Sequence, residues 1–193
     1  MWKAIRRLLM SLIVILLLLG GAAWALLAYI APDEKLDMAY TPISVQDKAL
    51  AIVKSLKTEL VLTETDVNYL IKAHLERELA GADGAPELSK DLRLDGAAFE
   101  LEADKLIAHM NVTYKDRVPA QLDAVYRLEW QPPNIALRPQ SLSAKEIGLP
   151  LDLLQTVIIP LELGEQDLVS ISNVLFEQDQ IRVQFKVDVK LPL

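Results

Sequence analysis

His74 and His109 are the only imidazoles in this 193-residue chain. His74 stands four residues before Glu78, a spacing that brings side chains together on one helix face. Such a pair could serve as an acid–base dyad. It could equally be a half-buried pair near a helix end, and that reading is preferred. His109 alternates with Ile107, Asn111 and Thr113 along a strand pattern, which places it on the polar side, facing solvent. Glu64 and Asp66 sit where carboxylates cap a helix start. Asp95-Gly96 signals a turn or bulge, with no metal-loop pattern around it. Asn111-Val112-Thr113 matches a glycosylation sequon inside a strand pattern, a frequent chance match. No serine stands in a G-x-S-x-G context. Together these residues point away from an enzyme and toward a protein that binds.

Composition narrows the classes further. Cysteine is absent, so disulfides, thiolate metal sites, cysteine nucleophiles and acylation at an N-terminal Cys are excluded. No metal site or cofactor is expected. Seven glycines leave little room for a phosphate-cradling loop.

The apolar residues are unevenly placed, and Leu8 to Pro32 holds no charge. A helix over 8–30 would be ~34 Å long, enough to cross a hydrocarbon core of about 30 Å. Lys3, Arg6 and Arg7 precede it, so the N-terminus is expected inside and the remainder outside. Trp24 and Tyr29 suit the outer interface. Ala23-Trp24-Ala25 also fits a signal-peptide cleavage pattern. The apolar run continues through Ile30, which favours an uncleaved anchor. The expected organisation is a cytoplasmic stub and transmembrane anchor over 1–32, a juxtamembrane linker over 33–43 and an extracytoplasmic domain over 44–193. All 27 acidic and all but three of the 20 basic residues follow the span, leaving that part at −10. Such a domain does not seek nucleic acid, and an anionic membrane surface repels it. Its bilayer attachment is therefore expected through residues 8–30.

Ser44 can cap a helix carrying Val45, Ala49, Ile52, Val53 and Leu56 on one face. Thr63 and Asp66 form a capping box, with Leu62 and Val67 as its hydrophobic staple. A helix from Glu64 to about Ala80 follows, with Val67, Leu70, Ile71, Leu75 and Leu79 as its buried stripe and Gly81 as a C′ residue. Gly81 to Lys90 reads as a loop. The period then changes to two. Strands are expected from Phe99 to Ala103, Leu106 to Tyr114 and Val118 to Trp130, with turns at Asp104-Lys105 and Lys115–Arg117. Ile135 opens a strand weakened by Pro139, hence an edge or a bulge. Leu151, Leu154, Val157 and Ile158 suggest a short helix between Pro150 and Pro160. Val169 to Val189 forms a last hairpin turned at Glu177–Gln180. The sum is an α+β fold, amphipathic helices packed on a curved antiparallel sheet with one face buried and one wet.

The run Leu62-Thr63-Glu64-Thr65-Asp66-Val67-Asn68-Tyr69-Leu70-Ile71 resembles the "LTEEDLNxLL" helix start of the YpmS-like family of single-pass membrane proteins of Gram-positive bacteria. Ile147-Gly148-Leu149-Pro150-Leu151 resembles its "xGxLPLP" segment, although Asp152 follows where a second proline is usual. The resemblance implies a membrane-anchored envelope protein. The family brings no established activity and no catalytic residue. The helix-plus-sheet pattern is also similar to envelope lipid-binding proteins of the tubular type, which implies a half-barrel by fold analogy.

The residues expected to matter are apolar. Leu70 and Ile71 of the helix and Met110, Leu122, Tyr126 and Trp130 of the sheet would line a groove on the concave face, suited to an acyl chain. An ordinary packed core is the competing account of that face. A protein partner in an envelope assembly, bound through the Pro139 strand edge or the acidic surface, is the alternative to a lipid ligand.

Overall fold

The computed structural model describes residues 2–42, 59–78, 87–89, 91–161 and 169–187. The helix expected from Ser44, and the positions Leu79, Ala80 and Gly81, lie outside the described residues.

Helix α1, Trp2–Ile30, is apolar over Ile5–Ile30 and buries none of that stretch. By length and composition it can cross a membrane. Strand β1, Glu59–Thr63, leads directly into helix α2, Glu64–Glu78. The capping box forms reciprocally: the Thr63 amide donates to Asp66 Oδ2 at 3.0 Å, and the Asp66 amide donates to Thr63 Oγ1 at 3.3 Å. Nine further strands are described: β2 Glu87–Ser89, β3 Leu92–Glu102, β4 Lys105–Tyr114, β5 Val118–Gln131, β6 Asn134–Ala144, β7 Ile147–Gly148, β8 Val157–Pro160, β9 Val169–Glu177 and β10 Gln180–Val187.

The strands make two antiparallel sheets, ordered β1-β10-β9 and β2-β3-β4-β5-β6-β7, with β8 also on β6. Neither sheet closes on itself. They share one core. Leu60, Val174, Ile181, Val183 and Phe185 of the small sheet meet Leu94, Phe99, Leu101, Leu106, Val112 and Leu128 of the large one, with Val67 of α2 among them. The fold is therefore α+β, with an apolar N-terminal helix.

Several expectations are corrected. The sequence Val157-Ile158-Ile159 is β8 rather than the end of a helix, and only Leu151–Leu153 forms a 3₁₀ turn. Three adjacent β-branched residues favour the extended state, and Pro160 is tolerated at a strand end. β1 was not foreseen, because five residues give little alternation to read. β2 lies inside the expected loop, and β3 begins at Leu92 rather than Phe99. The bulge at Leu94/Gly96 breaks the period there, as Asp95-Gly96 had signalled. The turn before β4 falls on Ala103-Asp104, with Ala103 at φ 52°.

The Pro139 strand is bulged, with Gln140 as the extra residue between the Ser141–Val125 and Pro139–Tyr126 pairs. It is not a free edge: β8 pairs with 134–137 and β7 with 143–144. Pro139 falls in the gap between those two partners, where no amide is needed.

The polar face of the large sheet is not simply wet. After α1 the chain runs across it as a strap. Asn111 Nδ2 donates to the Glu34 carbonyl at 2.6 Å, and the Ala97 amide donates to the Asp37 carbonyl at 3.3 Å. Lys72 Nζ of α2 then reaches Asp37 Oδ1 at 3.5 Å and the Ala39 carbonyl at 3.4 Å. The strap follows the cross-strand row Gly96, Asn111, Gln121. Asn111 and Lys72 are buried as a result, 5% and 6% exposed. Gly96 is required here by close approach. A Cβ would overlap the carbonyl oxygen and carbon of Leu36 and come within 2.8 Å of the Asp37 nitrogen.

Candidate functional site

Helix α2 lies along the edge of β3. The Phe99 amide donates to Asn68 Oδ1 at 3.2 Å, and the Leu101 amide donates to Glu64 Oε2 at 2.9 Å. With Ala97 on Asp37, three alternate amides of one strand edge are filled by a helix and a strap instead of a further strand. This docking sets α2 against the β3 side of the apolar face, while β9 of the small sheet approaches β5. Leu94, Ala97, Phe99 and Leu101 are consequently at most 6% exposed.

Across the rest of this face enclosure is uneven: Ala124, Leu128, Ile135, Leu137 and Leu142 are buried, and more open side chains stand between them. Met110 pairs with Leu122, Leu106 with Tyr126, and Trp130 with Ile135. Met110, Leu122, Tyr126 and Trp130 are only partly buried, packed against the core from one side. Burial raises the Tyr126 phenol above its ordinary pKa. These four expected residues therefore share one sheet face. Ile71 of α2 also packs against that core. Val67, Ile71 and Leu75 of the expected α2 stripe join the core, while Leu70 is half-buried and stands outside the packed set. Asp66 and Lys72 are also buried on this helix, where they serve the cap and the strap.

The groups that could do acid–base chemistry lie on the opposite face. His109 Nδ1 is 2.6 Å from Asp123 Oδ1, and its Nε2 is 3.9 Å from Glu100 Oε2. Gln121 Nε2 donates to Asp123 Oδ2 at 3.5 Å. The expected solvent exposure of His109 is corrected: its side chain is one-third exposed, bracketed by two carboxylates. The signal was present in the sequence. A hairpin centred on Asp116 places 109 opposite 123, so the Lys115–Arg117 turn predicts the pair. His74 is exposed on α2, and the side chain of Glu78 lies outside the described set. Among the described residues no three His, Asp or Glu side chains gather in a way that would hold a metal ion.

α1 meets the domain next to this polar face. Its end and the β6–β7 turn border an open cleft lined by Ala28, Tyr29, Asp33, Gln121, Lys145 and Glu146. Tyr29 donates to Glu146 Oε2 at 3.3 Å, Lys145 Nζ is 2.8 Å from Asp33 Oδ1, and the same ammonium lies 5.5 Å from the Tyr29 ring centroid. Compared with protein-family models, curated proteins and solved structures, the chain matches none.

Proposed function

We propose that the chain is a single-pass envelope protein of the YpmS-like kind, anchored by residues 8–30 with its N-terminus in the cytoplasm. Its extracytoplasmic domain binds rather than catalyses. The ligand is an apolar chain, held against β4 and β5 as in a lipid-binding half-barrel. The observation that carries this reading is the uneven cover of one sheet face. Met110, Leu122, Tyr126 and Trp130 stay partly open beside neighbours that are fully enclosed. Binding sites for apolar ligands are lined by side chains of this type. Burying about ten methylenes at ~0.8 kcal/mol each gives roughly 8 kcal/mol before ordering costs, micromolar binding at best. At −10 the region after the span suits a neutral or zwitterionic lipid better than a polyanionic one.

The test is photolabelling of the full chain in vesicles that contain a phosphatidylcholine with a diazirine on its acyl chain. Labelled peptides covering Met110 and Leu122 to Trp130 are expected in addition to those of α1. Leu122→Trp, which fills the strip, should abolish the domain labels while those of α1 persist. Labels confined to α1 in a folded chain would overturn lipid binding and leave a packed core as the account of this face. A mature chain beginning at Leu26 would overturn the anchor.

A further inference from the structure

The segment that follows Glu146 is apolar and uncovered. Ile147, Leu151 and Leu153 are 39%, 45% and 64% exposed. Soluble surfaces carry single exposed apolar residues without consequence, but three within seven positions on one turn call for a partner. The turn is held in place. β7 pairs Ile147 with Ala144, the Leu149 amide donates to the Leu142 carbonyl at 2.8 Å, and the Leu154 amide closes the 3₁₀ turn on Leu151 at 3.0 Å. It is also fixed relative to α1, since Glu146 accepts from Tyr29 and Lys145 pairs with Asp33. Tyr29 is the kind of residue that marks the level of the lipid headgroups. Ile147 is one residue away from the group that Tyr29 holds.

We infer that the Ile147–Leu153 turn is a second membrane contact, inserting its three apolar side chains into the outer leaflet of the bilayer that α1 crosses. This rests on the anchor reading of α1. The occupant follows from continuity: the surface nearest the outer end of a membrane helix is the membrane itself. It also follows from charge. An acidic domain gains nothing from lipid headgroups by electrostatics, so its own contact with the bilayer has to be apolar.

Because the chain has no cysteine, a single introduced one takes a fluorophore cleanly. Leu153→Cys, Leu151→Cys and Ile147→Cys are each labelled with an environment-sensitive dye in the full chain. The chains are reconstituted in phosphatidylcholine vesicles with doxyl-labelled lipid. Leu17→Cys reports the anchor, and Gln131→Cys, about 33 Å along β5 from Gln121, is the water reference. Blue-shifted emission and quenching by shallow doxyl groups at 147, 151 and 153, and not at 131, are expected. Quenching at 17 with water-like emission at all three sites would overturn this inference and leave the anchor standing. Absence of quenching at 17 would overturn the anchor, and the inference with it. A blue shift insensitive to doxyl lipid, and lost on diluting the protein in the vesicles, would assign the turn to a second copy of the chain instead. All three sites are exposed, so near-native thermal midpoints are expected for each variant.

Discussion

Replacing Gly96 with alanine tests the strap directly. The new Cβ would collide with the Leu36 carbonyl and approach the Asp37 nitrogen to 2.8 Å. These are backbone atoms, so no side-chain rotation relieves the overlap. Either β3 or the strap must move. β3 is laddered to β4 along its full length, while the strap is held by a few polar contacts, so the strap yields. It gives up the Asp37–Ala97 and Glu34–Asn111 hydrogen bonds and the longer contacts of Lys72. It also loses the packing of Met38 on the core. At about 0.5–1.5 kcal/mol per hydrogen bond, and less for the contacts of Lys72, the loss is about 3 kcal/mol. Alanine in a strand recovers roughly 0.5–1 kcal/mol relative to glycine. The net expectation is a destabilisation of about 2–2.5 kcal/mol. Urea unfolding of the full chain in detergent measures it, and hydrogen exchange locates it. The Ala97 amide should lose protection while Phe99 and Leu101, held by α2, keep theirs. An unchanged midpoint with Ala97 still protected would refute the reasoning.

Asn68→Ala uncaps the Phe99 amide at the β3 edge and should cost about 1–3 kcal/mol, whereas Glu64→Gln keeps an acceptor for Leu101 and should cost less; equal urea midpoints for Asn68→Ala and the parent chain would mean that water replaces the helix there. Arg182 bridges Glu59 and Glu177 across the small sheet, and its hydrogen bonds hold both carboxyls below their ordinary pKa. Groups depressed in the folded state stabilise it fully above the unfolded value, about pH 4.3, and lose that contribution as pH falls through the folded values. Arg182→Met should therefore flatten the acid side of the stability profile, and an acid slope identical to the parent's would show that the network is idle.

What the sequence made legible is what depends on neighbours in the chain. The capping box at Thr63 and Asp66, the alternation of β4 and β5 and the β9–β10 hairpin are local patterns, and each is where it was expected. What it hid depends on distant partners. Val157 to Pro160 has apolar spacing compatible with a helix, and pairing with Asn134–Leu137 adds to the local β-branched preference to decide for a strand. Nothing in its own helix marks Lys72 for burial; Asp37 and Ala39, 35 and 33 residues earlier, enclose it. The groove residues divide on the same line. Met110, Leu122, Tyr126 and Trp130 are placed by strand period, which the sequence carries. On α2 the helical period places Val67, Ile71 and Leu75 in the core but does not tell that Leu70, at the margin of the same stripe, stays outside it.

The strap changes what the anchor can do. A free linker of about ten residues would let a domain wander by roughly 17 Å from its membrane helix. Here the same residues are bound to β3, β4 and α2, and the contacts of Tyr29 and Asp33 begin where α1 ends. On the anchor reading of α1, domain and helix would then move as one body, and the fold would set the height of any surface above the bilayer. On that reading Gly96, at the β3 edge, bears on the proposed membrane contact. If Gly96→Ala releases the strap, the labels at Ile147 and Leu153 should lose part of their lipid quenching although neither residue is touched. Retained quenching in a chain whose Ala97 amide has lost protection would show that Tyr29, Lys145 and the apolar turn hold the domain at the membrane without the strap.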